Sequence, residues 1–324
     1  MITKAVYSFY SYPFRTRPGF AGFTTLEDFL NAWTLSVHLA QRHFDDVELV
    51  TDNYGKALLV DCLNLPFTKV KNELDAVVPE HVKDLYWTFG KLWAYYLQEE
   101  PFIHIDYDVF LWNKLPDRIL TAPMFGQNME CDIWKLDIYR QGYKALCGHL
   151  KHKPDDWIAI YPYIHKHDIA INVGIIGGND MDFLQKYAST AIDMVTHREN
   201  KEAFEVIQRI DKLTDGNVAH GCNVVTEQYL YSRLCLANRR WDYMKFLLDQ
   251  KDMFAGNEPH ISVNMLCKEI GFTHLIGLKS KQNPDTMQRL KYRIKKDYNY
   301  YWGKIAEIVK NEQRSGVSAI PRGV

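Results

Sequence analysis

A short segment in the first half of the chain ends in two carboxylates that stand one residue apart. Residues 102–105 are mostly apolar and are predicted to form a buried strand, and Asp106 and Asp108 follow directly. Carboxylate oxygens are ligands that Mg²⁺ and Mn²⁺ prefer, and a pair of them leaves coordination positions for phosphate oxygens. The segment therefore predicts a divalent-metal site at the end of a strand.

A second segment, far along the chain, supplies groups that complement this pair. His274 could be a third metal ligand, Gly277 permits a close backbone approach, and Lys279 offers a cation to developing negative charge. Neither segment is specific alone, because Asp-x-Asp pairs are common in turns and a lone histidine is commonly a hydrogen-bonded core residue. Together they predict a site for a metal-bound diphosphate.

The elements that must hold these residues alternate in type over the first third of the chain. Strands are predicted over 4–10, 47–51 and 102–105, and helices over 25–44 and 80–97. This alternation is typical of an α/β sandwich with a mostly parallel central sheet. Because ligands of such folds gather at the carboxyl ends of the strands, the two aspartates lie where a site is expected.

Later segments continue the α/β pattern less regularly. Strands are predicted over 119–125 and 168–177, and the second has almost no polar interruption, so it is expected to be buried on both faces. Helices are predicted around 133–148, 181–196, 200–212 and 225–238. No internal repeat or low-complexity linker interrupts this part of the chain.

A strongly helical and basic tail follows. We divide the chain into a main domain over 1–283 and this tail over 284–324. Its lysines and arginines are interleaved with tyrosines, so the tail could lie on an anionic membrane surface. It could equally be a solvated helix face that packs through its aromatic residues.

The composition is that of an ordinary globular chain. Its 324 residues are 47% hydrophobic and 14% aromatic, enough for a large core, and the net charge of −1 gives no basic surface for nucleic acid. The six cysteines form no CxxC pair, which favours free thiols in a reducing compartment. No stretch has the apolar length of a signal peptide or a spanning helix. We expect a cytoplasmic location, with peripheral contact at the inner face of the membrane left open by the tail.

Four motifs occur in the order seen in the retaining GT-A glycosyltransferases. The sequence most resembles the glycogenin and lipopolysaccharide galactosyltransferase group, and it is similar to the related α-mannosyltransferase group. The shared motifs are Asp106-x-Asp108, Asn172-x-Gly174, Glu227-Gln228 and His274-x-x-Gly277-x-Lys279. The resemblance implies a GT-A-type, Rossmann-like sandwich with a mostly parallel central sheet and a helical C-terminal tail.

The resemblance also implies roles for individual residues. Asp106, Asp108 and His274 would ligate Mn²⁺ or Mg²⁺, and Asn172 and Gly174 would contact substrate. The residues that would bind the nucleotide-sugar donor are Tyr7, Ser8, Tyr10, Lys91, Asp106, Tyr107, Asp108, Gly277 and Lys279.

Two adjacent residues are candidates for action on the sugar. Gln228 would lie beside the anomeric carbon and supply a carbonyl dipole, which fits the front-face retaining mechanism of the resembled family. If Glu227 points at this carbon instead, a covalent double displacement follows. Both mechanisms stay open at the level of sequence.

The chain departs from the family's pattern in two places. The family's lysine motif usually continues with Pro-Trp, whereas this chain has Ser280-Lys281. Residues 99–101, Glu-Glu-Pro, replace the Gly-Gly that often precedes the aspartates. The first change concerns closure on the acceptor side, and the second concerns the family assignment more than the chemistry.

The implied function is that of a metal-dependent hexosyltransferase. It would move a sugar from a nucleoside-diphosphate sugar to a glycan, glycolipid or protein acceptor with retention of configuration. One alternative is a non-catalytic nucleotide-sugar or carbohydrate-binding protein on the same fold. Another is a phosphohydrolase of the haloacid dehalogenase type, but its aspartates normally end the first strand and are followed two residues later by Thr or Val, where this chain has Phe110.

Overall fold

The structure is a computed structural model, and its described part has five internal gaps. It describes residues 1–16, 19–131, 133–163, 169–213, 217–248 and 270–315. The first residue of the predicted strand over 168–177 and the last nine residues of the predicted tail lie outside these ranges.

Nine strands among the described residues form two sheets. The strands are β1 (Lys4–Phe9), β2 (Asp46–Thr51), β3 (Lys69–Asn72), β4 (Phe102–Ile105), β5 (Val109–Leu111), β6 (Met124–Cys131), β7 (Ile169–Gly178), β8 (Met244–Phe246) and β9 (Phe272–His274). The central sheet has the order β3-β2-β1-β4-β7-β6-β8, and β7 runs antiparallel to both of its neighbours while the other pairs are parallel. β5 and β9 pair in a small antiparallel sheet. The predicted fold class, a Rossmann-like α/β sandwich with a mostly parallel central sheet, is confirmed.

Helices cover both faces of the central sheet. They are α1 (Tyr12–Thr16), α2 (Leu26–Ala40), α3 (Asn53–Lys56), α4 (Leu74–Val77), α5 (Phe89–Tyr96), α6 (Asp117–Leu120), α7 (Asp137–His149), α8 (Asp155–Ala159), α9 (Met181–Thr196), α10 (Lys201–Leu213), α11 (Asn217–Val224), α12 (Leu230–Ala237), α13 (Gly277–Lys281), α14 (Pro284–Asp297) and α15 (Asn299–Ser315). Two π-helical turns span Ala57–Cys62 and Val225–Tyr229. Short 3₁₀ turns span Glu80–Val82, Ile133–Lys135, Tyr161–Tyr163, Arg198–Asn200 and Trp241–Tyr243.

The central sheet separates two apolar cores. Successive residues of a strand point to opposite faces, so Val6 of β1 packs with α5 and α9 while Ala5, Tyr7 and Phe9 pack with α2. β7 is buried along its whole length, as its apolar run predicts. Burial of this strand fixes the middle of the sheet, where β4 and its following aspartates lie.

The described part of the tail is attached to α2. Met287, Leu290 and Ile294 of α14 and Ile305 of α15 are buried in the same core as α2. Many of its basic side chains remain at the surface, so the described helices combine a packed apolar side with a charged side. No helix among the described residues is both long and apolar enough to cross a bilayer.

Several predicted boundaries differ from the structure: the helix predicted over 25–44 ends at Ala40, the helix predicted around 133–148 starts at Asp137, and two further elements differ more strongly. The predicted strand over 119–125 is wrong at its start, because residues up to Leu120 form α6 and the strand begins at Met124. The predicted helix over 80–97 is divided: a 3₁₀ turn precedes α5, which starts only at Phe89. The reason is tertiary, since Asn223 of α11 accepts hydrogen bonds from the backbone N–H and the hydroxyl of Thr88 at 3.0 and 2.8 Å.

We predict that Asn223→Ala destabilises the fold by about 2 kcal/mol, because buried backbone groups at the start of α5 lose their hydrogen-bond partner. The lost amide also donates to the carbonyls of Leu85 and Ala219, each at 2.8 Å. Urea unfolding followed by circular dichroism measures the effect. The matched control is Asn311→Ala on the exposed side of α15, for which a change within about 0.5 kcal/mol is expected. Equal effects of both substitutions would contradict the assigned role of Asn223.

Candidate metal centre

Strand pairing brings the two distant segments together. In the small sheet, Val109 of β5 lies opposite His274 of β9, and the N–H of Leu275 donates to the carbonyl of Asp108 at 3.0 Å. The N–H of Asp106 donates to the carbonyl of Gly174 on β7 at 2.9 Å. Backbone hydrogen bonds therefore place both aspartates and the histidine together at the carboxyl end of β4, in the middle of the central sheet.

Asp106, Asp108 and His274 form a cluster of the predicted composition. Each offers a ligand atom within 4.8 Å of those of the other two. Asp108 Oδ1 lies 3.6 Å from His274 Nε2, and this buried oxygen has no hydrogen-bond partner among the described residues. A buried carboxylate oxygen without a partner is costly unless a cation satisfies it. The three side chains therefore fit a divalent cation.

The imidazole of His274 is held in the form that a metal requires. Its Nδ1 lies 2.7 Å from Gln127 Oε1, and the amide nitrogen of Gln127 donates to Asn128 Oδ1 at 2.9 Å, so the amide oxygen faces the ring. That oxygen can only accept, so Nδ1 carries the proton and the lone pair of Nε2 faces Asp108. Burial lowers the pKa of His274 to about 4, which keeps the ring neutral near pH 7.

Gly174 makes room for this imidazole. A Cβ at this position would lie 2.3 Å from Cε1 and 2.7 Å from Nδ1 of His274. The glycine is itself held by its neighbour, because its N–H donates to Asn172 Oδ1 at 3.0 Å. The amide nitrogen of Asn172 donates to Glu130 Oε1 at 2.9 Å. The predicted Asn-x-Gly motif therefore lies beside the cluster and shapes it.

Lys91 bridges two carboxylates, that of Glu227, which is fully buried, and that of Asp106, which is partly buried. Its Nζ lies 2.8 Å from Asp106 Oδ2 and 2.8 Å from Glu227 Oε1. Burial alone would lower the pKa of Lys91, but Asp106 and Glu227 raise it above its ordinary value. Burial raises the pKa of Asp106 to about 7 against the effect of Lys91, and the charges of Asp108 and Glu227 add to the rise. Lys91 therefore ties Glu227 to the metal cluster.

A second lysine contacts the other aspartate. Lys281 Nζ lies 2.7 Å from Asp108 Oδ2 and faces the rings of Phe23 and Tyr107. Burial alone would raise the pKa of Asp108, but Lys281 and then His274 bring it below its ordinary value. Lys279, the lysine predicted for the diphosphate, is exposed on the same short helix. Sequence reasoning missed Lys281, whose only signal was the Ser-Lys that replaces the usual Pro-Trp.

Gly277 is the turn that leads into α13. Its φ is +69°, a left-handed conformation that favours glycine, and no atom lies within 4 Å of a Cβ built there. The predicted glycine is therefore explained by backbone conformation. The turn directs Lys281 towards Asp108.

Glu227 and Gln228 lie in a π-helical turn and have different partners. Glu227 is fully buried, and its Oε2 has no hydrogen-bond partner in the described part of the chain. Gln228 is only partly buried, and its Oε1 lies 2.6 Å from the hydroxyl of Tyr139. The same hydroxyl lies 2.8 Å from Glu130 Oε2. Contacts through Tyr139, Glu130 and Asn172 thus connect Gln228 with the strand that carries Gly174.

The predicted donor-binding residues of β1 divide between the two faces of the sheet. The Tyr7 hydroxyl is buried against the carbonyl and hydroxyl of Ser36, at 3.0 and 2.9 Å. Ser8 faces the other way, with its Oγ 3.0 Å from Nε2 of His104, whose Nδ1 lies 3.8 Å from Asp106 Oδ1. Ser8 is therefore connected to the cluster, whereas the Tyr7 side chain is part of the core on the α2 side.

The other two predicted tyrosines have partners of their own. The Tyr10 hydroxyl donates to the carbonyl of Lys83 at 3.2 Å, and its ring stacks on Tyr12 at 6.5 Å between centroids. Tyr107 stacks on Trp33 with centroids 5.0 Å apart. Tyr107 lies between the two aspartates in sequence and packs behind them. Tyr10 directly follows β1, and its contacts are with Lys83 and Tyr12.

We predict that Gly174→Ala weakens Mn²⁺ binding at least about tenfold, because the new methyl group displaces the His274 ring from Gln127. Isothermal titration calorimetry measures the affinity. Gly148→Ala is the control, since no atom lies within 4 Å of a Cβ at that helical glycine. Unchanged Mn²⁺ affinity in a folded Gly174→Ala protein would show that His274 is not a ligand.

Comparisons with known proteins give a family but no activity. A search among curated proteins finds no match to the sequence. One similar solved structure is mouse xyloside xylosyltransferase 1 in its apo form, with 10% identity, coverage of 77% of this chain and 86% of that chain, and a TM-score of 0.36. A likeness this distant supports no statement about activity. The sequence model described as "Family of unknown function (DUF6734)" matches residues 3–308, and the chain therefore belongs to this family.

Proposed function

We propose that this protein is a metal-dependent glycosyltransferase of GT-A type, which transfers a hexose from a nucleoside-diphosphate sugar to an acceptor. The observation that supports this best is the convergence of Asp106, Asp108 and His274, with Lys281 on one side and the pair of Lys91 and Glu227 on the other. Acidic ligands and a neutral imidazole suit a divalent cation, and buried amines suit a diphosphate.

The three ligands would hold Mn²⁺ or Mg²⁺, which supplies charge neutralisation for the departing diphosphate. Lys281 is the residue of this chain placed to add a second positive charge there, because its Nζ already lies beside Asp108. Lys279, on the outer side of the same helix, could contact a more distant part of the diphosphate. Both lysines lie on α13, the short helix that begins at Gly277.

Retention of configuration is part of the proposal, and the environments of the two candidates favour a front-face mechanism. Glu227 is fully buried and paired with Lys91, so its carboxylate is committed to a neighbouring charge. Gln228 is more accessible and presents a neutral amide dipole, which suits developing positive charge at the sugar without forming a covalent bond. Glu227 then acts by fixing Lys91, and Asn172 and Gly174 form the floor of the sugar site.

Partners and location extend the proposal. The acceptor would be a glycan, a glycolipid or a protein. The proposed location of the protein is the cytoplasm. The surface of the tail is basic, and contact with the inner face of a membrane stays a prediction. The phosphohydrolase alternative is less well supported, because the aspartates follow the fourth strand of the chain rather than the first.

We predict that UDP or GDP raises the melting temperature only when Mn²⁺ or Mg²⁺ is present, because the diphosphate binds through the metal. A ligand at 100 times its Kd adds about 2.7 kcal/mol of stability. Differential scanning fluorimetry measures the shift, which Asp108→Asn should abolish and the exposed control Asp45→Asn should preserve. Stabilisation by nucleotide that ignores the metal would count against the site.

We predict that Lys281→Ala slows hydrolysis of the accepted nucleotide sugar roughly 100-fold, the scale expected for removing one group that stabilises developing charge. Lys279→Ala, on the same helix, should have a much smaller effect because its side chain is exposed. A panel of nucleotide sugars with Mn²⁺, followed by release of nucleoside diphosphate, identifies the donor and measures both variants. Release from none of them, despite metal-dependent nucleotide binding, would favour the non-catalytic binding protein.

A further inference from the structure

A second cluster of metal-ligating side chains lies at the C-terminal end of α9. It consists of His152 from the loop after α7, Asp193 in the last turn of α9, and His197 directly after that helix. His152 Nε2 lies 2.6 Å from Asp193 Oδ2, and the two imidazole rings stack with centroids 3.6 Å apart. The three residues offer ligand atoms within 4.8 Å of one another.

A buried amide holds this cluster in shape. Asn200 is fully buried, and its Oδ1 accepts hydrogen bonds from the backbone N–H groups of Lys151 and His152 at 3.0 and 2.8 Å. Its amide nitrogen donates to the carbonyls of His152 and Met194, each at 2.9 Å. The loop that carries His152 is therefore fixed to the end of α9. Such support is what a preorganised ligand site needs.

The types of the three ligands indicate which class of metal ion they would bind. Two imidazoles and one carboxylate are typical ligands of Zn²⁺ and related first-row transition metals, whereas Mg²⁺ and Ca²⁺ prefer oxygen. All three side chains are partly exposed, so an ion can reach them and water can complete its coordination.

We propose that His152, Asp193 and His197 form a second metal site, which binds Zn²⁺ or a similar transition-metal ion. The ion would join the loop after α7 to the end of α9. Ligand atoms around zinc lie about 2.0–2.1 Å from the metal, so His152 and Asp193 must move apart from their present hydrogen bond. Their partial exposure permits this movement. The proposal is independent of the proposed glycosyltransferase activity.

The test measures Zn²⁺ binding in the full chain after treatment with EDTA and dialysis. Asp108→Asn is used as the background, because Zn²⁺ could also occupy the first site. Isothermal titration calorimetry should then find a site whose affinity falls at least about tenfold in the additional variants His197→Ala and Asp193→Asn. His149→Ala, which removes a histidine from the end of α7 outside the cluster, should leave the affinity unchanged.

Melting curves in EDTA confirm that each variant is folded, so that lost binding can be assigned to a lost ligand. Zn²⁺ should raise the melting temperature of the background protein but not that of its His197→Ala derivative. Absence of Zn²⁺ binding in the folded background protein would overturn the proposal. Equal Zn²⁺ affinity with and without His197 would overturn it as well. Neither result would bear on nucleotide binding at the first site.

Discussion

The site depends on buried charges that must be balanced where β4 ends. Three carboxylates, those of Asp106, Asp108 and Glu227, face two ammonium groups, those of Lys91 and Lys281. Charges in a low-dielectric interior are stable only when they are paired, and removal of one partner is strongly destabilising. With His274 neutral, this set carries one negative charge in excess. Burial raises the pKa of Asp106 to about 7 and the neighbouring carboxylates add to the rise, so a proton there can restore neutrality. A divalent cation would instead change the net charge of the set to one positive, which a bound diphosphate could then balance.

Uncharged residues around the cluster are constrained in type, because they position the charged and ligating side chains. Gly174 cannot carry a side chain without displacing the imidazole of His274, and Gln127 must present its oxygen to fix the tautomer of that ring. Asn223 sets the start of α5, which carries Lys91. These residues bear no charge, yet each controls where a charged or ligating group lies. The geometry of the site is therefore distributed over β6, β7, α5 and α11.

The sequence indicates which residue types could form the site, but it does not indicate which side chains they contact. Asp106, Asp108 and His274 could be selected because few side chains bind divalent cations, and the apolar run before the aspartates indicates the end of a strand. Gln127 could not be selected, since a glutamine in a buried strand gives no sign of which side chain it will meet. Lys281 was missed for a related reason: the direction of each lysine depends on the turn at Gly277. Boundaries such as the start of α5 depend on tertiary hydrogen bonds, which local propensity does not contain.

The π-helical turn accounts for the separate environments of two adjacent residues. Glu227 and Gln228 point in different directions from this turn, Glu227 to Lys91 and Gln228 to Tyr139. The wide turn departs from regular α-helical hydrogen bonding, and the carbonyl of Glu227 accepts a hydrogen bond from the Tyr187 hydroxyl at 2.6 Å. This arrangement holds the Glu227 side chain against Lys91 and leaves Gln228 beside Tyr139. One local irregularity thus places a buried, paired carboxylate next to a partly exposed amide, as the proposed front-face mechanism would require.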